Sequence, residues 1–421
     1  MPADGHRFGR YFAISIACLV VLALFFPAFD VLSLAGFVND KTYLLVLQDN
    51  TEIRPTGGLM ACIGLLTVHD GNVKDLHFYY ANTSWTGDVV KIDSPRSLTQ
   101  FFKVDRARLY DSNVQYDFAS FAPTMLSNVN QLSGQKADGI IAVDFTALEA
   151  IMRITGPISA SGDVITSRNV VDLTHYYSGL SDSDKAPLTN LLSSLALKIV
   201  QIVRGASLPV KLDLLNTVQQ LSAERHLFFY VPGDSLTANL AGATAMPSTD
   251  FISVIDFNMG SGKADFGVYR SIDYNVQLLA NGSAVSNLTV TYNNTCFWRY
   301  DVFTTVLVPP GAELLSVTTS AQNLQGPLTT SAANFTALSA SVQVPANETG
   351  SITYRYTLPH VVGSSGVEER YDLYVQKQAG INAYTFNPDV QLPNGARLLA
   401  SQNAEANQTS TGDIHLEAVY R

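Results

Sequence analysis

Residues 43–80, YLLVLQDNTEIRPTGGLMACIGLLTVHDGNVKDLHFYY, decide the fold. The run YLLVLQ (residues 43–48) is apolar almost throughout, as a strand covered on both faces requires, and GIIAVDF (139–145) repeats that pattern downstream. LMACIGLLTV and VKDLHFYY flank His69-Asp70-Gly71-Asn72, and an Asp-Gly pair between two apolar runs predicts a hairpin. Between the first two runs stands QDNTEIRPTGG (48–58), which breaks both strands with polar residues, Glu52 and Arg54, Pro55 and the pair Gly57-Gly58. A Pro and two glycines allow a tight bend that brings backbone N–H groups close to an anion.

Working outward, helical spacing follows the strands. In DFASFAPTMLSNVNQL the residues Phe118, Phe121, Met125, Val129 and Leu132 recur at steps of three and four, and Asp117 stands where a helix cap belongs. Residues 146–155 predict a second helix, stopped by Gly156-Pro157. NVVDLTHYY and PLTNLLSSLALKIVQIV continue the pattern, the latter with Leu188, Leu191, Leu192, Leu195, Ile199 and Ile202 on one stripe. Short strands alternating with helices predict an α/β domain with a mixed sheet over 39–260. Beyond NMGSGKAD (258–265) Thr, Ser, Asn and Val rise, helical spacing disappears, and short strands punctuated by turns predict an all-β sandwich over 261–421.

Bulk composition bounds the rest. A chain of 421 residues that is 47% hydrophobic buries a substantial core, and 26 basic against 36 acidic residues leave a net charge of -10, which offers no general attraction to nucleic acid. The segment YFAISIACLVVLALFFPAF (11–29) has no Asp, Glu, Lys or Arg and is long enough to cross a bilayer core of about 30 Å at roughly 1.5 Å per residue. It predicts an uncleaved transmembrane anchor over 11–38; the alternative is a cleaved secretory signal, whose apolar region is usually shorter and which a clean A-x-A site would follow. Arg7 and Arg10 precede it, so the positive-inside rule puts residues 1–10 in the cytoplasm and the bulk of the chain outside the plasma membrane. Sequons at Asn82, Asn281, Asn287, Asn293, Asn334, Asn347 and Asn407 suit an exported glycoprotein. Cys18, Cys62 and Cys296 make no disulfide framework, and the three cysteines and seven histidines show no zinc-ligand spacing. His69, His77 and His175 are scattered, without a nucleophile elbow.

Six blocks stand in a fixed order over most of residues 43–380: YLLVLQDNTEIRPTGG, GLLTVHDGNV, YDSNVQYDF, KADGIIAVDFTALEAIMRITGPI, SRNV and YDLYVQKQAG. In this the chain resembles the DUF4012 family of membrane-anchored cell-surface proteins. That family is itself similar to the LytR-CpsA-Psr proteins, which transfer undecaprenyl-pyrophosphate-linked glycopolymers to the cell wall outside the membrane. The resemblance implies a LytR-CpsA-Psr-like mixed sheet with flanking helices, a polyprenyl-pyrophosphate-linked glycan as partner, and transfer of a glycopolymer or phosphoglycosyl group.

Such a reaction needs cationic donors on the phosphates and often a divalent cation held by carboxylates. Arg54, Asp111 and Asp117 are the catalytic candidates, and Asp111 with Asp117 the candidate Mg2+ ligands. Glu52, Gly57, Gly58 and Asn113 are candidate substrate contacts, together with Arg168 and Asn169 of the SRNV block. Plainer readings stand beside these: Asp117 as a helix cap, Asp111-Ser112-Asn113 as an Asx turn, and Glu52-Arg54 as a local surface pair. Where the larger family carries a Ser-Ile-Pro-Arg-Asp stretch this chain reads LHFYYANTSW, and the late Arg-rich segment is LSDSDKAPLTNLL with Lys185 as its only base. Arg96 and Arg168 are the candidate replacements. The alternative is therefore a non-catalytic envelope protein that binds a glycan or another surface component.

Overall fold

Strands β1 (Lys41–Asp49), β2 (Leu59–His69) and β3 (Asn72–Tyr80) form an antiparallel meander. The turn between β2 and β3 takes positive φ at Asp70 (47°) and Gly71 (71°), as a type I′ hairpin demands. The computed structural model describes residues 39–421 apart from 81–86, 93–94, 104, 180–185, 235–241, 245–248, 261, 333, 365 and 403–406. The expected anchor over 11–38, the Asn82 sequon and Lys185 lie outside the described residues.

A small pair, β4 (Val89–Lys91) with β5 (Arg106–Arg108), brackets helix α1 (Arg96–Phe102). Helix α2 (Phe118–Ser133) then leads to β6 (Gly139–Asp144), which pairs in parallel with β1. Helix α3 (Phe145–Thr155), the pair β7 (Ile158–Ala160) and β8 (Asp163–Ile165), and helices α4 (Val170–Gly179), α5 (Ala186–Gly205) and α6 (Leu208–Ala223) precede β9 (Leu227–Tyr230). The resulting five-stranded mixed sheet has the order β3-β2-β1-β6-β9.

Its two faces explain why β1 is apolar throughout. Leu44 and Val46 join Ile63 and Leu65 in a core under α2, while Leu47 and Cys62 meet Leu188 and Leu192 of α5 on the opposite face. Asp117 caps α2 by accepting from Ser120 N at 2.7 Å, and Asp144 caps α3 by accepting from Ala147 N at 2.9 Å; each cap is worth ~1 kcal/mol. Helix α5 is long and apolar enough to cross a bilayer, but its Leu188, Leu191, Leu192 and Leu195 are buried in the protein core.

The remaining strands make a two-sheet β-rich region. The composition change near residue 260 misplaces its start, because β10 (Asp250–Asn258) belongs to the eight-stranded sheet. There β10 pairs antiparallel with β13 (Tyr300–Val308) and parallel with Glu369–Gln376. The strand DFISVIDFN is as apolar as those of the α/β region, so the shift in composition becomes visible only after it ends. The six-stranded sheet is built on β11 (Val268–Leu278) and β12 (Ala284–Asn294), whose alternating burial marks one inward face. Buried tyrosines dominate the core between the sheets, and most keep their hydroxyls paired: Tyr274 and Tyr371 both donate to Asp250 Oδ2 at 2.6 Å, while the Tyr356 hydroxyl has no partner among the described residues. Cys62 and Cys296 are both buried free thiols.

Candidate functional site

QDNTEIRPTGG connects β1 to β2 at the sheet end where β6 also stops. Glu52 N donates to Asp49 O at 3.1 Å and Gly57 N to Arg54 O at 3.0 Å, closing two turns. The glycine pair serves close packing: a Cβ on Gly57 would overlap the Gln48 side chain, and one on Gly58 the Asp49 carbonyl. Buried Asn113 pins the loop by donating from Nδ2 to Thr56 Oγ1 at 3.0 Å and to Gly58 O at 2.9 Å. The β-rich region completes the mould. Asn258 N donates to Ile53 O, Asp265 N to Thr51 O, Ile53 N to Asp265 Oδ2, and Gln378 Nε2 to Arg54 O at 3.2 Å. NMGSGKAD, where the sequence places the domain boundary, is one wall of the site, and QKQAG is another.

A strip of charged groups runs across this sheet end. The polar partners of Arg54 are Glu52 Oε1 at 2.9 Å and Asp111 Oδ1 at 3.3 Å, both on Nη2, with the carbonyls of Ile53 and Asn258 on Nη1. Its guanidinium also lies 4.7 Å from the centroid of the Phe257 ring, and its Nε is buried with no partner among the described residues. Beyond Glu52 lies Asp49, nearly inaccessible, with Lys263 Nζ and His175 Nε2 both on Oδ2, the latter at 2.9 Å. An ionised carboxylate only accepts, so His175 donates from Nε2 and keeps its lone pair on Nδ1. Burial alone would push the Asp49 carboxyl up; the His175 hydrogen bond and the charge of Lys263 outweigh it and hold the group well below the usual carboxylate range. For Glu52 burial wins over Arg54, and its carboxyl is raised. Asp49, Glu52 and Asp111 against Arg54 and Lys263 leave the strip with one net negative charge when His175 is neutral.

Two cavities open on the strip. The one at Arg54 and Asp111 has a volume of about 250 Å³ and is otherwise lined mainly by apolar residues, including Ile92, Leu98, Phe102, Val114, Phe257 and Met259. The other, about 160 Å³, holds Asp49, His175 and Lys263 between Tyr80, Tyr110 and Leu188. An anion reaching Arg54 would displace Asp111 more readily than Glu52, since Asp111 makes the longer bond and its side chain is 37% exposed against 12% for Glu52.

The other sequence candidates separate. Asp111, in the turn Leu109–Asp111, joins Arg54 as expected, and its carboxylate pairs across the site, which the Asx-turn reading did not require. Asp117 does not join them: one oxygen caps α2 and the other accepts from Thr244 N at 2.8 Å. Asn169 Oδ1 accepts from Thr166 N at 2.7 Å, a local turn contact, and Arg168 is exposed beside a separate cleft. Arg96 is exposed at the start of α1. Among the sequons, Asn281, Asn293, Asn334, Asn347 and Asn407 are exposed and Asn287 is half-buried. Sequence reasoning missed Asp49, His175 and Lys263; an acid closing an apolar strand was their one local signal.

Magnesium finds no ready-made cage in this arrangement. Asp117 is occupied by two backbone N–H groups, Glu52 and Asp111 face a guanidinium, and no group of three His, Cys, Asp or Glu suited to a metal occurs among the described residues.

Residues 39–177 match the family described as "Protein of unknown function (DUF4012)". No curated protein matches the chain. Among solved structures, protein gbs0355 from Streptococcus agalactiae is 13% identical with a TM-score of 0.32, over 48% of this chain and 72% of that one. Lin1025 from Listeria innocua is 13% identical with a TM-score of 0.29, over 51% and 85%. TagV from B. subtilis is 10% identical with a TM-score of 0.29, over 48% and 77%. At these values the likeness carries no argument about activity.

Proposed function

We propose that this chain is an envelope protein, held in the plasma membrane by residues 11–38 with its bulk outside, that binds a polyprenyl-pyrophosphate-linked glycan and transfers its phosphoglycosyl group to an acceptor hydroxyl. The observation that carries this reading is Arg54, whose guanidinium, with Asp111 and Asn258 beside it, forms the polar end of a mainly apolar cavity of about 250 Å³. That arrangement suits an amphiphile in which a charged head joins a hydrocarbon tail. The first isoprene units enter between Leu98, Phe102, Phe257 and Met259, each buried methylene contributing ~0.8 kcal/mol. The pyrophosphate meets Arg54 and Lys263, the two cations of the strip, and displaces Asp111.

In the transfer, the acceptor oxygen bonds to the sugar-side phosphorus, the bond from that phosphorus to the bridging oxygen breaks, and polyprenyl monophosphate leaves. The hydroxyl proton passes to Nδ1 of His175, which Asp49 orients through Nε2. A second reading, a non-catalytic glycan-binding protein, is favoured by the net negative charge of the strip.

The test is binding of a polyprenyl pyrophosphate to the full chain in nanodiscs, with and without Mg2+, followed by release of polyprenyl monophosphate from a glycan-loaded carrier. Arg54→Ala is expected to weaken binding by about tenfold or more. His175→Asn is expected to leave binding intact and stop release. Unchanged binding by Arg54→Ala would remove the site; binding with no release by the parent chain would leave the second reading.

A further inference from the structure

A larger cleft, about 370 Å³, opens where α3 and α4 face the β-rich region. It shares Phe145 with the Asp49 cavity, and its residues Asn50, Thr51 and Asp265 lie next to Asp49 and Lys263 in the chain. Its volume falls within the roughly 300–1,000 Å³ range of small-molecule sites.

The walls differ in chemistry. On the side of the β-rich region Phe266 and Tyr269 are 62% and 64% exposed, far more than rings that fill a core. Trp298 continues this surface, its ring centroid 6.1 Å from that of Phe266, and Phe297 beside it is 88% exposed. On the helical side stand Thr146, Glu149, Arg168 and Asp172, with Asn382 at the rim. The guanidinium of Arg168 makes no ion pair or hydrogen bond among the described residues. Thr146 is already oriented, donating to Asn382 Oδ1 at 2.6 Å and accepting from Asn50 Nδ2 at 3.0 Å.

We propose that this cleft binds a neutral oligosaccharide. A pyranose ring presents C–H groups on its faces and hydroxyls around its edge. The C–H groups pack on the negative face of an aromatic ring, and the hydroxyls both donate and accept. Phe266 and Tyr269 supply the rings; Arg168, Glu149 and Asp172 supply planar donors and acceptors. A purely apolar ligand would strand those three charged groups, and a polyanion would meet Glu149 and Asp172 against Arg168, since the other cation of the lining, Arg270, is already taken by Asp265 and Asp256. The proposal rests on the reading above only in taking this sugar to be the glycan of the bound carrier. With it, the chain reads tail, phosphate and sugar on three adjoining surfaces.

The experiment is calorimetric titration of the full chain in nanodiscs with tetrasaccharides of glucose, mannose, galactose and N-acetylglucosamine, with tetragalacturonic acid as the anionic comparator. At least one neutral tetrasaccharide is expected to bind below about 10 mM, with Phe266→Ala/Tyr269→Ala and Arg168→Ala each weakening it by about tenfold. These side chains are exposed, so folding is retained, and affinity for sugar-free polyprenyl pyrophosphate stays unchanged in both variants. No neutral sugar bound, parent-like binding by either variant, or preference for the galacturonate overturns the proposal. Sugar binding by a chain that ignores the carrier instead refutes the reading of Arg54 and leaves the cleft standing.

Discussion

Gly380 packs directly on Gly57: a Cβ on Gly380 would overlap the Gly57 carbonyl oxygen. The neighbouring residues reinforce the contact, since Thr56 and Ala379 form a bridge and Gln378 Nε2 donates to both Arg54 O and Asp256 O. The QKQAG segment late in the chain is thus part of the mould that shapes the Arg54 loop. That accounts physically for two motifs so far apart in sequence occurring together.

Gly380→Ala should destabilise the chain by about 2–4 kcal/mol, combining a left-handed φ of 81° with overpacking against Gly57. Gly395→Ala is the control, because Gly395 has φ 83° and open space where its Cβ would go, leaving only the backbone cost of ~1 kcal/mol. Urea unfolding measures both, and equal losses would mean that the Gly57 contact relaxes freely.

Arg54→Met should cost about 3–5 kcal/mol, because it leaves Glu52 buried without its partner. Glu52→Gln combined with Arg54→Met should recover much of that loss, a coupling that a double-mutant cycle reads directly. Asp111→Asn behaves differently. Its carboxylate is more than a third exposed, so stability should change by only ~0–1 kcal/mol. Without divalent cation the freed guanidinium should then bind polyprenyl pyrophosphate about tenfold more tightly. Weaker binding by this variant in the absence of Mg2+ would show that Asp111 assists the anion rather than competing with it.

The mixed sheet, the Asp70-Gly71 hairpin and helix α2 were legible because local rules agree with tertiary structure at each. An apolar run, a turn pair and a period of three to four residues all name their own outcome. Arg54 and Asp111 were legible through unusual residues at strand breaks. Asp117 carried two readings, because one residue type both caps helices and binds cations; the cap is what forms, and sequence does not show which lone pairs are already taken. Lys263 and His175 were hidden for another reason: each lies in an ordinary stretch, and they meet Asp49 only after β10 crosses into the second sheet system and α4 folds over the first. Strand β10 itself was hidden because burial on both sides gives one composition in either kind of sheet.

Asp49→Asn tests the other half of the strip. The folded state holds this carboxyl below its ordinary value, so its stabilisation is present above the unfolded pKa of ~3.9 and is lost as pH falls toward the lower folded value. The variant should lose about 2–3 kcal/mol at pH 7. The gap between parent and variant should then close as pH falls below ~4. Chemical denaturation at successive pH values reads the gap, and a constant gap would mean that Lys263 and His175 do not stabilise the charged form.

Lys377 should tie stability to alkaline pH. It is buried, its Nζ donates to Glu224 O at 2.6 Å, and burial pushes its amine down to about 7 despite the nearby Asp144 and Asp413 carboxylates. In the unfolded chain the same amine titrates near ~10.4. Between those values the unfolded state binds more protons than the folded one, so this group makes stability rise with pH, by at most ~1.4 kcal/mol per pH unit. Below about 7 the amine is protonated in both states and its contribution is flat, with the cost of a buried ammonium fully present. Lys377→Met removes that titration together with the amine's hydrogen bonds to Glu224 O and Gln378 O, which adds a pH-independent offset. Titrations of the buried tyrosines and Cys62 are common to both chains and cancel in the difference. The stability of the parent minus that of Lys377→Met should therefore climb from about pH 7 upward and be level below it. Curves that run parallel from pH 6 to 10 would mean that Lys377 keeps an ordinary pKa in the folded chain.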